Sequence, residues 1–146
     1  MNKIRVIWID DEIDTIYLRP FVKELEEKGI DVIKVKKIDD IDATIQNEDK
    51  NSLTMIILDI AMPPKENISF RDARGGVRTG QIILEELLKN DNVSCVKKVV
   101  FTQVEDEEVE KYCINNQVPY LKKEDYFEDE FYDAIMGLIN NNEENE

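Results

Sequence analysis

A chain of 146 residues, 42% of them hydrophobic, can bury one ordinary core without staples and is too apolar for disorder. Its formal charge of −14 works against direct binding to nucleic-acid backbones or anionic membranes. The absence of histidine excludes every His-dependent catalytic arrangement and any thiol–imidazole zinc site.

Cys95 and Cys113 fall in no metal-like spacing and are expected to be free thiols of a cytoplasmic protein. No apolar run approaches the ~20 residues that span a bilayer, and Met1-Asn2-Lys3 opens no secretory segment. Between residues 105 and 133 eleven acids face three bases, so the C-terminal half carries most of the negative field. That balance reads first as a soluble surface.

In chain order, residues 4–9 are apolar and β-branched, a first strand closed by Asp10-Asp11-Glu12. Residues 13–28 read as a helix with Ile13, Ile16, Tyr17, Phe21 and Leu25 near one stripe and Gly29 as its stop. Pro20 lies inside that pattern and either kinks the helix or marks a late start of its regular part. Residues 31–36 alternate polar and apolar, as an edge strand does. Asp39 or Asp40 caps a short helix to about Glu48, carrying Ile41, Ala43 and Ile45. Thr54-Met55-Ile56-Ile57-Leu58 is then wholly apolar but for its first residue, and ends in Asp59. Such a run is the mark of a strand buried on both faces.

Residues 61–78 show no periodicity and are punctuated by Pro63, Pro64, Gly75 and Gly76, with Gly80 just beyond. A connection of that length is generally functional or disordered. It holds Arg71, Arg74 and Arg78, read either as balancing charges of a solvated loop or as guanidinium groups that reach a phosphate. Residues 79–90 form a helix with Ile82, Ile83, Leu84, Leu87 and Leu88, and residues 96–101 a strand ending in Thr102. An acidic helix spans 104–115, a short strand 118–121, and Lys122-Lys123 follow. The last helix spans 125–140, with Phe127, Phe131, Ile135, Leu138 and Ile139 on one side. The reading is one domain over residues 1–140 and a disordered polar tail over 141–146. Strictly alternating strands and helices imply a parallel sheet covered on both faces.

In such a sheet ligands bind outside the carboxyl ends of the strands. Asp10 and Asp11, Asp59, Thr102 and Lys123 all follow strand ends. Taken alone, an acid there is only a cap. Three converging carboxylates repel one another, and a divalent cation removes that conflict. Oxygen-only donors in an open site suit Mg²⁺. A carboxylate nucleophile, a magnesium ion, a lysine and a hydroxyl are the parts that place a phosphoryl group.

Ile9-Asp10-Asp11-Glu12, Asp59-Ile60-Ala61-Met62-Pro63, Val100-Phe101-Thr102 and Tyr120-Leu121-Lys122-Lys123 resemble, in order, the four motifs of response-regulator receiver domains. The resemblance covers essentially the whole chain. It implies a flavodoxin-like (βα)5 doubly wound parallel sheet of order 2-1-3-4-5. It implies a stand-alone response regulator of two-component phosphorelay signalling, in which Asp59 accepts phosphate from a histidine kinase or phosphotransfer protein. Asp11 would bind Mg²⁺ directly and Asp10 chiefly through water, with Asp59 also in the metal set and the Ala61 backbone carbonyl completing it. Lys123, three residues after Tyr120, would pair with the phosphoryl group. Thr102 would swing to bond it, with Tyr120 following inward. Output would pass through protein contacts of the face made by the fourth helix, fifth strand and fifth helix, where Val104, Val109, Ile114 and Tyr120 are candidates. Monomer or weak homodimer is expected, and self-directed chemistry of this kind does not make an enzyme. Glu124 stands where the family usually has a proline with a cis peptide, and Gln103 replaces a small residue after the threonine. The alternative is a receiver-like scaffold that binds a partner without phosphorylation. A Mg²⁺ phosphatase would want an Asp-x-Asp pair that Asp59-Ile60-Ala61 does not supply.

Overall fold

Met55–Leu58 is buried at every residue and forms the central strand, β3, as its uninterrupted apolar run predicts. The structure, a computed structural model, describes residues 3–48, 52–61 and 77–144. The remaining strands are β1 (Arg5–Ile9), β2 (Asp31–Val35), β4 (Lys97–Thr102) and β5 (Tyr120–Lys122). All pair in parallel in the order β2-β1-β3-β4-β5, the flavodoxin-like topology expected from the sequence. The helices are α1 (Arg19–Glu27), α2 (Ile41–Asn47), α3 (Val77–Lys89), α4 (Glu107–Asn115) and α5 (Glu128–Glu144).

Because side chains alternate along each strand, the sheet feeds two apolar layers. Ile7, Ile9, Ile56, Leu58 and Val100 pack with residues of α2, α3 and α4. Val6, Trp8, Ile57, Val99 and Phe101 pack with residues of α1 and α5. The second layer centres on rings, with Phe101 stacked on Phe131 at 4.1 Å and Trp8 at 5.4 Å from Phe131.

Several helix boundaries differ from expectation, each for a local reason. Residues 11–18 are turns, and α1 begins only at Arg19, so Pro20 occupies its first turn, where no N–H is required. Ile13 is buried, but Ile16 and Tyr17 are exposed and leave the expected stripe. Gly29, at φ 89°, supplies the left-handed residue that ends α1. A single 3-10 turn, Ile38–Asp40, precedes α2, and Asp40 stands at the cap position without a side-chain cap bond. Helix α4 starts later than expected because the Asp106 carboxylate accepts from the Val109 amide at 3.1 Å. Val109 is therefore interior and not part of an exposed switch face. Phe127 precedes α5 and is exposed, whereas Phe131 and Ile135 are buried. Helix α5 continues to Glu144, past Asn140, where no glycine or proline stops it. Pro63, Pro64, Arg71, Arg74, Gly75 and Gly76 lie outside the described residues, as does the Arg78 side chain.

Gly80 is not loop punctuation. It lies within α3, and a Cβ placed on it would stand 2.0 Å from the Ile60 carbonyl oxygen. The helix thus touches the backbone of the residue that follows Asp59, an approach only glycine permits.

Candidate functional site

The strand ends are level. Ile9 pairs with Leu58, Leu58 with Val100, and Thr102 with Lys122, while the Asp59 amide donates to the Ile9 carbonyl at 2.9 Å. The residues that follow are delivered to one rim. Asp10 is 0% and Asp59 4% exposed, Thr102 and Lys123 are buried, and Asp11 is exposed.

Every oxygen of the two buried carboxylates has a partner. The Lys123 ammonium lies 2.7 Å from Asp10 Oδ2 and 3.0 Å from Asp59 Oδ2. Asp59 Oδ1 accepts from the Thr102 hydroxyl at 2.6 Å and from the Ala61 amide at 3.0 Å. Asp10 Oδ1 accepts from the Glu12 amide at 2.9 Å. Of the two adjacent lysines, Lys123 faces inward, and Lys122 turns out to Glu105 at 2.7 Å. Among the described residues no peptide bond is cis, and Glu124 follows Lys123 through a trans bond.

One ammonium shared by two buried carboxylates leaves negative charge uncompensated, and Asp11 adds to it. Burial first, and the Asp59 charge second, push Asp10 up to about 6 against the pull of Lys123. Asp11 is also raised, by burial and then by Glu12 and Asp59. Burial opposes the Lys123 ammonium, but Asp59 and Asp10 outweigh it and hold the group above its ordinary value.

Carboxylate oxygens of Asp10, Asp11 and Asp59 lie within 4.8 Å of one another, close enough to share one metal ion. The donor set is oxygen only, its charge is in excess, and one member faces solvent. These residues fit a hard divalent cation.

The excess charge has a consequence for pH. Between its ordinary value of 3.8 and about 6, native Asp10 keeps a proton that the unfolded chain has released. In metal-free buffer stability therefore falls as pH rises through that window, by about 1 kcal/mol between pH 5 and 7.5. Urea unfolding at the two values checks this, and a rise in stability toward pH 7.5 would contradict it.

A second line of contacts leaves the rim. The Val104 amide donates to the Thr102 hydroxyl oxygen at 3.3 Å, and the Tyr120 hydroxyl donates to the Val104 carbonyl. Tyr120 packs half-buried against the α4-side layer, and burial raises its hydroxyl well above the ordinary value. The resemblance implies that Thr102 swings to bond a phosphoryl group, with Tyr120 following inward. Here it already bonds Asp59, and Tyr120 is already linked to it.

Sequence reading missed the Gly80 contact, although a glycine inside an apolar helix pattern is itself a signal of close packing. It also missed a cavity of about 580 Å³ beside Lys123, whose lining includes Tyr17, Gln103, Lys123, Glu124, Phe127 and Glu128.

No family model and no curated protein matches the chain. Solved structures do. A CheY-like response regulator receiver domain protein from Methanospirillum hungatei superposes with a TM-score of 0.73 at 22% identity, covering 100% of each chain. A response regulator receiver domain protein from Clostridium thermocellum gives 0.66 at 21% identity, over 95% of this chain and 96% of that one. A response regulator receiver protein from Burkholderia phymatum gives 0.65 at 18% identity, over 94% and 96%. Over its whole length, the chain has the fold of response regulator receiver domains.

Proposed function

We propose that the chain is a response-regulator receiver domain that accepts a phosphoryl group on Asp59. The observation that carries this is the setting of the Asp59 carboxylate. It lies between the Thr102 hydroxyl and the Lys123 ammonium, within reach of the Asp10 and Asp11 oxygens. A cation, a hydroxyl donor and a metal-binding acid pair around one carboxylate are what a transferring phosphoryl group requires. Mg²⁺ would be held by Asp11 and Asp59 with the Ala61 carbonyl, and by Asp10 chiefly through water. When bound it supplies charge neutralisation at the phosphoryl oxygens. Asp59 supplies the attacking oxygen, Lys123 pairs with the phosphoryl charge, and Thr102 donates to it.

The donor in this reading is a histidine kinase or phosphotransfer protein, and the exposed Tyr17 and Phe127 that line the cavity offer it apolar contact. Output passes through the α4–β5–α5 face, where Val104 and Tyr120 are coupled to Thr102 and Ile114 is exposed. The chemistry is directed at the protein itself, so the chain is not an enzyme. The protein acts in the cytoplasm as a monomer or weak homodimer. Its two cysteines are free, and among the described residues no helix is long and apolar enough to cross a membrane.

A specific observation favours a second reading, a scaffold that signals without phosphate. The chain of bonds from Asp59 through Thr102 and Val104 to Tyr120 is closed around an unmodified carboxylate. Incubation with acetyl phosphate, with and without Mg²⁺, separates the two. A Mg²⁺-dependent phosphorylated species, absent in Asp59→Asn, is expected. No modification of the folded protein would turn the conclusion to the scaffold.

A further inference from the structure

At the end of the sheet opposite Asp59, where β4 and β5 begin, lies a second cavity of about 400 Å³. Leu88, Ser94, Lys97, Lys98, Asn116 and Gln117 line it in part. The chain holds 33 acids and 19 bases, yet this lining contains two lysines and no acid.

Lys98 is 7% exposed. Its ammonium donates to the Val93 carbonyl, and among the described residues it has no ion pair. That carbonyl belongs to the peptide link with Ser94, so the ammonium stands against the wall that residues 94–96 form. An ammonium carries three N–H donors, and one neutral oxygen does not balance a buried charge. Burial lowers the group below its ordinary value, with Cys95 of the same lining acting in the opposite direction.

The lining also holds Gln117, at φ 58° the one residue other than glycine with positive φ among the described residues. It follows the end of α4, a place where glycine would be unstrained. What glutamine adds there is a carboxamide, a donor of two N–H bonds. Asn116 adds another, with its nitrogen already donating to the Tyr112 carbonyl at 2.8 Å.

We propose that this cavity binds a phosphate group, free or carried on a small organic molecule, with Lys98 as its principal cation. Phosphate supplies the counter-charge that Lys98 lacks and accepts charge-assisted bonds. Lys97 brings a second positive charge to the lining, which favours a dianion over a monoanion. Leu88 gives the same cavity apolar surface for an organic body. The site is separate from the rim and does not rest on Asp59 being the acceptor.

Amide chemical shifts are followed while inorganic phosphate, and separately phenyl phosphate, is added at constant ionic strength in chelator. Without metal the acidic rim repels both ions. Saturable shifts are expected at residues 94–98 and 116–118, and none at Asp59 or Ala61. Tighter binding of phenyl phosphate assigns the group to an organic molecule, and equal binding assigns it to free phosphate. Lys98→Met is expected to weaken binding roughly tenfold or more, since a charge-assisted bond is lost. Methionine keeps the volume and removes an unbalanced charge, so this variant should fold. Gln117→Gly tests the site without touching Lys98. It is expected to weaken binding roughly threefold while its thermal midpoint does not fall, because the backbone strain is relieved. A residue that only supported the fold would move stability and binding together. Absence of saturable shifts in the unsubstituted chain overturns the proposal. Equal shifts with acetate at matched ionic strength, or unchanged affinity in Lys98→Met, overturn it as well.

Discussion

Replacing Lys123 with methionine is expected to cost about 3–5 kcal/mol of stability at neutral pH, the range for removing one partner of a buried charge cluster. The ammonium bridges Asp10 at 2.7 Å and Asp59 at 3.0 Å, and both acids are shielded from water. Methionine fills similar volume, so packing changes little and the loss is electrostatic. That origin gives the loss a signature. Lowering the pH toward 5 protonates Asp10, already pushed up to about 6 by burial and the Asp59 charge, so the variant recovers part of its deficit. Mg²⁺ at neutral pH restores part as well, by placing positive charge among the same oxygens. Urea unfolding at pH 7.5 in chelator, at pH 5, and with Mg²⁺ reads all three. A deficit that is the same in all three buffers would assign Lys123 a packing role instead.

Gly80→Ala is expected to cost about 1–3 kcal/mol, as overpacking does. The obstacle is the Ile60 backbone, with its carbonyl oxygen at 2.0 Å and its Cα at 2.3 Å from the added methyl. Backbone cannot rotate aside as a side-chain tip can. Either α3 moves away from β3 or the segment after Asp59 moves with it. Across the Asp59–Ala61 turn the Ala61 amide donates to Asp59 Oδ1. Phosphorylation by acetyl phosphate should therefore slow beyond what the fraction unfolded explains. Amide chemical shifts should change at Ile60 and Ala61 in the unmodified protein. A variant with normal stability and unchanged shifts at those two residues would show that the contact is not tight.

Much of the site was legible because the sheet converts sequence into position with little freedom. An apolar strand that ends in one acid has a single rim to deliver it to, and Asp10, Asp59 and Thr102 all obey that rule. Lys123 was separable from Lys122 only through the resemblance to receiver domains, which puts the lysine three residues after the aromatic one. What escaped depended on contacts between segments far apart in the chain. Residues 13–18 carry a helical spacing of apolar residues, yet only Ile13 and Leu18 of that stretch reach the core. The periodicity there was real but belonged to turns. Val109 reads as a surface candidate until the Asp106 cap fixes where α4 begins. Nothing in Gly80 itself names Ile60 as its neighbour. The closed Thr102 bond is likewise a matter of conformation, which residue type does not encode.

The two apolar layers meet only through the strands. Trp8, the lone tryptophan, belongs to the layer shared with α1 and α5, beside Phe101 and Phe131. Val104 and Tyr120 belong to the opposite one. The sheet therefore stands between the aromatic layer and the layer that holds Val104 and Tyr120. If phosphorylation repositions Tyr120, the indole on the opposite face of the sheet is expected to keep its emission unchanged, and tryptophan fluorescence before and after acetyl phosphate reads this.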